Sequence, residues 1–511
     1  MQSIAEKVGQ MTMVGFEGLT PPRHILAWLE SGRIGGVYLF ARNIESPAQV
    51  RRLVATCRRA AKFPILVGID QEGGSVARLR EGFTESPGAM ALGASGDRQL
   101  AEDVAAMMGA ELTALGINWN LAPVADLARR RDNPSIGTRA VGRDPQLVSD
   151  FVSAQVRGFQ RAGLAATVKH FPGLGNSVID THVASAKVSG SLSTLYREDL
   201  LPFEAAIAAG VSCVMLTHVL YEELDSELPA TLSPRIVDGL LRERLAYDGA
   251  VCTDCMEMKA ITDSFAPGES AVLAVLAGVD MVMFSHSRAA QEAAFDALLE
   301  AAKAGRLPEG RIEQSLARIQ ALKERFPLED APALDIVGGA QHRSLAAKAA
   351  RAGVVMIKRG EALPLSSRAR LALIEFAAGR QRETVEADTP TPLASYLSQR
   401  RPHIACFCLD RAGAENNRLM IKSIASDAET LILVTRDAHL QPAQLQLAQL
   451  VCDSANQVVL VCARNPYDAG RITGADTVFC SNGDSVPSLQ ATVDALCGDF
   501  IPTGALTVAI R

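Results

Sequence analysis

At 511 residues the chain is longer than one ordinary hydrophobic core accommodates, so two domains are expected. It is 48% apolar and 21% charged, with a net charge of −6 and no long run of one sign. That pattern leaves no basic footprint for nucleic acid, and no segment has the unbroken apolar length of a bilayer span. The N-terminal residues Met1–Met11 read as an amphipathic helix without the basic start and apolar stretch of a signal peptide. A cytoplasmic protein with no membrane partner is therefore expected.

Short apolar or β-branched runs recur through the first 290 residues. After a weak strand signal within Gly9–Phe16 come Gly36–Phe40, Ile65–Ile69, Trp119–Ala122, Ala166–Lys169, Cys213–Thr217, Ala250–Thr253 and Met281–Phe284. Helical spacing lies between them, as in Leu100, Val104, Met107, Met108 and Leu112, or Phe151, Gln155, Phe159 and Ala162. Strand alternating with helix at this rhythm predicts an α/β fold, a (β/α)8 TIM-type barrel over residues 1–326. Asp70, Asn120, Lys169, His170, His218, Asp254 and Ser285 all fall at or just after the carboxyl ends of these strands. In a barrel those ends converge on one mouth, whereas an open sheet would spread them out. The helix Pro308–Lys323 ends this unit, and a proline-containing linker is expected at 327–342. Six further runs, Gly353–Lys358, Ala369–Glu375, Ile404–Cys408, Thr430–Thr435, Val458–Cys462 and Thr477–Cys480, predict a smaller αβα sandwich domain over 343–511.

Most of the ten cysteines, among them Cys213, Cys406, Cys408 and Cys462, sit in strand-like runs and read as small buried thiols, not as a disulfide framework. Cys252 and Cys255 have C-x-x-C spacing, but Cys252 lies inside a strand, where the redox motif does not fit. A zinc site lacks a second ligand pair, and no H-x-H exists for a metal-dependent barrel hydrolase.

The chemistry concentrates in Lys169–His182. A strand-like run ends at Lys169, the chain turns at Pro172 and Gly173, and the loop ends in Asp180-Thr-His182. Two residues apart on extended backbone, Asp180 and His182 would share a face, and the carboxylate would fix the imidazole as a general acid/base. Asp254 leaves the strand Ala250–Thr253 as a nucleophile or base would, kept ionised by a nearby Lys or Arg; the plainer alternative is a helix N-cap. Lys169 and His170 could merely terminate a strand, and both can reach a ligand only if the strand stops alternating there. Asp70 and Arg78 could be a structural ion pair, and Glu72 could orient the Gly73-Gly74 turn. His218 and His286 read as supporting residues.

Five patches in this order are similar to glycoside hydrolase family 3, in its two-domain β-N-acetylglucosaminidase branch: Gly68–Gly74 with Arg78, Leu121–Asp126, Asn133–Arg139 with Asp144 and Pro145, the Lys169–His182 loop, and Cys252–Met258. Val461–Asp468 and Pro502–Val508 resemble the family's second domain. The resemblance implies a retaining exo-β-N-acetylglucosaminidase that needs no metal and no cofactor. Asp254 is then the nucleophile, His182 with Asp180 the acid/base, and Asp70, Arg78, Arg139, Lys169 and His170 bind the N-acetylglucosamine hydroxyls. Its partners would be N-acetylglucosamine-containing small saccharides, such as peptidoglycan fragments in recycling or imported chitin-type sugars, and the chain would be a monomer or homodimer. One departure stands out: the branch has His where this chain has Leu174. A neutral imidazole base repels an anion less than a carboxylate does, so inorganic phosphate is an alternative acceptor and a phosphorylase an alternative reading. A catalytically silent sugar binder, suggested by Leu174, is disfavoured by retention of Asp254 and the Asp180–His182 pair.

Overall fold

The computed structural model describes residues 2–188, 191–327, 331–377, 392–409 and 418–510. Eight parallel strands close into a barrel in sequence order: β1 (Thr12–Gly15), β2 (Gly36–Leu39), β3 (Leu66–Ile69), β4 (Trp119–Asn120), β5 (Ala165–Phe171), β6 (Cys213–Leu216), β7 (Ala250–Cys255) and β8 (Met281–Phe284). Closure is made by β1, which pairs with β8 through Thr12↔Val282 and with β2 through Met13↔Gly36. The weak signal within Gly9–Phe16 is thus the first barrel strand. Its four residues are buried, but Thr12 and Gly15 at its ends leave only Met13 and Val14 as an apolar run. Inside the barrel Gly68 leaves room for its neighbours: a Cβ there would come within 2.7 Å of the Met13 methyl and 3.3 Å of the Trp119 ring. Trp119, fully buried, donates its indole N–H to Thr167 Oγ1 at 2.6 Å.

The helix Glu309–Arg325 packs at the opposite, amino-terminal end of the barrel, where Lys323 Nζ reaches Gln10 Oε1 at 2.7 Å. A second helix, Ala340–Gly353, leads into a six-stranded sheet. Its strands are β9 (Val355–Lys358), β10 (Leu371–Phe376), β11 (Ala405–Leu409), β12 (Thr430–Thr435), β13 (Val458–Cys462) and β14 (Thr477–Cys480), ordered β9-β14-β13-β12-β10-β11. All pairs are parallel except β9 with β14. Period-two alternation supplies two apolar layers: Leu431, Leu433 and Leu460 face one, Ile432, Val434 and Val459 the other. The sheet unit rests against the barrel. Tyr467 and Val508 join the barrel's apolar cluster, Arg143 N–H donates to Thr507 O at 3.0 Å, and Ala505 N–H to Ala94 O at 2.9 Å.

All ten cysteines are free thiols. Cys406 and Cys408, expected to be buried, are exposed. They lie on β11, the sheet's edge strand, and an apolar run marks a strand without saying whether a layer covers it. No described helix is long and apolar enough to cross a membrane.

Candidate active site

The carboxyl ends of the barrel strands build one pocket of about 460 Å³, measured to its open mouth. Asp254, His182, Asp70 and Arg78 line it, together with Arg139, Lys169, His170 and Glu72, which the sequence tied only to a turn. The sequence-derived sites therefore meet in one place, except that Asp180 stands behind His182.

One wall is an ion network. Asp70, just past β3, accepts from Lys169 Nζ at 2.6 Å, from Arg78 at 3.3 Å and from the Tyr38 hydroxyl. Arg78 returns to Asp70 through a tight hairpin in which Gly73 and Gly74 have φ of +88° and +62°, open to glycine at little cost. Asn120, at the end of β4, clamps that hairpin by bonding both the N–H and the C=O of Gln71 at 2.9 Å; it holds the loop and does not line the pocket. Glu72 does more than orient the turn. Its carboxylate takes two bonds from Arg139, at 2.8 and 2.9 Å, and lies 2.6 Å from Lys169. Burial pushes the Glu72 carboxyl up, but Arg139 and Lys169 outweigh it and bring it down to about 2. Burial likewise opposes the charge on Lys169, yet Asp70 and Glu72 together hold its amine above the ordinary range. Asp70 is lowered in the same way, against its own burial.

Lys169 and His170 both face this site because β5 stops alternating: its register with β6 shifts between Val168 and Phe171. His170 Nδ1 lies 2.7 Å from Asp126 Oδ2, and its Nε2 is 3.4 Å from Arg139 Nη2. Asp126, buried, also receives the backbone N–H of Leu174 at 2.5 Å and so ties down the root of the next loop. Neither Asp126 nor Tyr38 had been singled out for a role in the sequence.

Asp180 and His182 do pair, Nδ1 to Oδ1 at 2.8 Å, but not by extended alternation. They lie in a turn, in which the Asp180 carboxylate also accepts the His182 backbone N–H at 3.0 Å and the Asp180 carbonyl accepts from Val183 at 2.9 Å. This is an Asx-type turn, the short-range device by which Asp bonds the backbone two residues on. Burial pushes the Asp180 carboxyl up, but the His182 hydrogen bond and charge leave it below the usual range. His182 Nε2 has no hydrogen-bond partner among the described residues and belongs to a pocket-lining side chain. The carbonyl of Thr181 accepts the N–H of Ala260 at 3.1 Å, which moors the turn to the segment following β7.

Asp254 is within β7, and Met258, not Asp254, precedes the helix Lys259–Thr262, so the N-cap alternative does not hold. Its Oδ1 accepts the Cys255 N–H at 2.7 Å. Burial would raise its carboxyl, but His170 foremost, then His218 and His182, draw it below the usual range. The stabilising groups are imidazoles rather than the expected Lys or Arg, because Lys169, Arg78 and Arg139 face Asp70 and Glu72. His218 is buried behind the site, with Nε2 3.0 Å from Cys255 O and Nδ1 2.8 Å from Thr231 Oγ1; burial lowers its pKa. His286 stays outside the pocket lining, its ring 5.1 Å from Phe40. Leu174 is buried in the pocket wall.

The glycosyl hydrolase family 3 N-terminal domain model matches residues 3–322. A β-hexosaminidase of Stenotrophomonas maltophilia is 40% identical over 289 residues, 55% of this chain and 85% of that protein. β-Hexosaminidase A of Pseudoalteromonas piscicida is 34% identical over 368 residues, 66% of this chain and 62% of that one. The structure of a family 3 β-N-acetylglucosaminidase from Paenibacillus sp. str. FPU-7 superposes with a TM-score of 0.94 at 35% identity, covering all of this chain and 99% of that one.

Proposed function

We propose, from the premise that this chain belongs to glycosyl hydrolase family 3, that it removes terminal β-linked N-acetylglucosamine from small saccharides by a retaining mechanism. One observation carries the reading: Asp254 and His182, the latter backed by Asp180, border the same pocket, beside a wall of charged groups suited to sugar hydroxyls. The β-hexosaminidase relatives and the near full-length likeness to a β-N-acetylglucosaminidase support the substrate class.

In the first step Asp254, ionised, attacks the anomeric carbon. The glycosidic bond breaks and His182 Nε2–H protonates the departing oxygen, which leaves a glycosyl ester on Asp254. In the second step His182 Nε2 takes a proton from water as its oxygen attacks the anomeric carbon and frees Asp254. Asp180 holds the His182 tautomer and stabilises the imidazolium present before the first step and after the second. Asp70, Arg78, Arg139, Lys169 and His170 bind the sugar hydroxyls, and Glu72 keeps Arg139 and Lys169 aimed. Catalysis belongs to residues 1–326, joined by a linker at 327–342 to the second domain at 343–511, and the compartment is the cytoplasm.

The test is mass spectrometry of the products from an aryl β-N-acetylglucosaminide, with and without phosphate. Free N-acetylglucosamine in both conditions is expected. N-Acetylglucosamine 1-phosphate, formed faster with phosphate, would instead make the chain a phosphorylase. No product in either would favour the silent binder.

A further inference from the structure

His439 lies on the turn Ala438–Leu440, directly after β12 at the carboxyl edge of the second sheet. Its position is firmly specified. The buried carboxylate of Asp468 accepts from the His439 N–H at 2.8 Å, the Ala438 N–H at 3.0 Å and the His439 Nδ1 at 2.8 Å. Asp437, just before, has φ of +54°, a conformation that costs a non-glycine residue about 1 kcal/mol or more. With Nδ1 fixed, Nε2 crosses to the barrel and meets the Arg131 carbonyl at 3.1 Å.

Arg131 belongs to a segment that supports the root of the acid/base loop. Two residues on, Asn133 is buried and uses its whole amide. Oδ1 accepts from the N–H of Ser135 and Ile136 at 2.8 and 2.9 Å, and Nδ2 donates to the carbonyls of Leu174 and Gly175 at 3.0 and 3.1 Å. Gly175 packs so closely on the same segment that a Cβ would lie 2.1 Å from Leu127 O. The segment's other end is held by Arg129, bonded to Asp199 at 3.0 Å. Asp180 and His182 follow five and seven residues after Gly175.

We propose that His439 is a positioning residue for catalysis: from the second domain it fixes the Arg131 carbonyl, and through Asn133 the height of the loop that carries His182. The proposal rests on the reading of His182 as acid/base. Proton transfer needs heavy atoms within about 2.6–3.2 Å, and a displacement of about 1 Å costs on the order of a hundredfold in rate. The second domain then sets the loop geometry without contributing a group to the pocket.

The test uses the full chain and two substrates, a dinitrophenyl β-N-acetylglucosaminide, whose leaving group needs little protonation, and a disaccharide, whose leaving group needs it. His182→Ala is the benchmark. His439→Ala and Asn133→Asp, the latter keeping the acceptor that caps Ser135 and Ile136, are expected to lower disaccharide kcat/KM about tenfold. The aryl substrate's kcat/KM, which reports the first step alone and not the base-assisted second one, should lose less than about twofold, and the double variant should be no worse than either single one. His439→Gln, which keeps a donor for Arg131, should recover most of the rate. If His439→Ala does not fold, Asn133→Asp and His439→Gln carry the test. Folded variants that lose nothing, or lose both substrates equally while His182→Ala remains selective, overturn the proposal and leave the mechanism standing. A non-selective His182→Ala overturns the acid/base reading itself, and the proposal with it.

Discussion

Two buried lysines sit at opposite ends of the barrel and meet opposite fates. Lys169, at the carboxyl mouth, is 2% exposed and flanked by Asp70 and Glu72, each 2.6 Å away. Lys323, at the amino-terminal end, is 5% exposed and reaches the neutral Gln10 amide. Desolvation acts on both, but only Lys169 has carboxylates to overcome it. Its amine is raised, while that of Lys323 is pushed down to about 7. The difference separates a mouth whose charges compensate one another from a base where burial alone acts on the amine.

That contrast predicts loss of activity from changes at the mouth and altered stability from changes at the base. The largest effect is expected from Asp254→Ala, with turnover falling by about 10⁴-fold or more while the melting temperature is kept and calorimetry still detects sugar binding. Near-normal rates would remove Asp254 as nucleophile. Lys169→Met comes next. It leaves Asp70 and Glu72 less compensated in a buried site, so chemical denaturation should show a loss of about 3–5 kcal/mol, together with weakened kcat/KM. Lys323→Met should do the reverse at the base, gaining about 1–4 kcal/mol below pH 7 with kcat unchanged. The native amine titrates near 7 and the unfolded one near 10.5, so between those values the unfolded state holds the extra proton. The Lys323 contribution to wild-type stability should therefore rise with pH across that window, and denaturant midpoints of Lys323→Met should lack the rise. The smallest change is expected from Leu174→His: the loop root is held by backbone bonds to Asp126 and Asn133, so turnover should persist. Complete inactivation in a kinetic assay would show that the loop depends on the leucine side chain.

The barrel strands were legible because they are buried on both faces and read as short apolar runs. Asp70, Lys169, His170 and Asp254 were legible because the fold gathers strand ends. What escaped the sequence was pairing across distance. Asp126 meets His170 from 44 residues away, and Glu72 meets Arg139 from 67 away; neither partner shows in a local pattern. Tyr38 sits inside the apolar run Gly36–Phe40; its ring is buried and only its hydroxyl reaches Asp70. The Asp180–His182 pair was legible as a spacing, but the turn that makes it is set by side chain to backbone bonds, which spacing on extended backbone does not describe. Cys406 and Cys408 show the converse, a strand correctly read whose place at the sheet edge was not.

The most direct test of the account is covalent trapping. The chain is incubated with an activated 5-fluoro-N-acetylglucosaminyl fluoride, digested and mapped by mass spectrometry. A mass increase of one fluorosugar on the peptide carrying Asp254, absent in Asp254→Ala, is the predicted result. A label on another carboxylate such as Asp70, or turnover of the reagent without any protein-bound sugar, would contradict it.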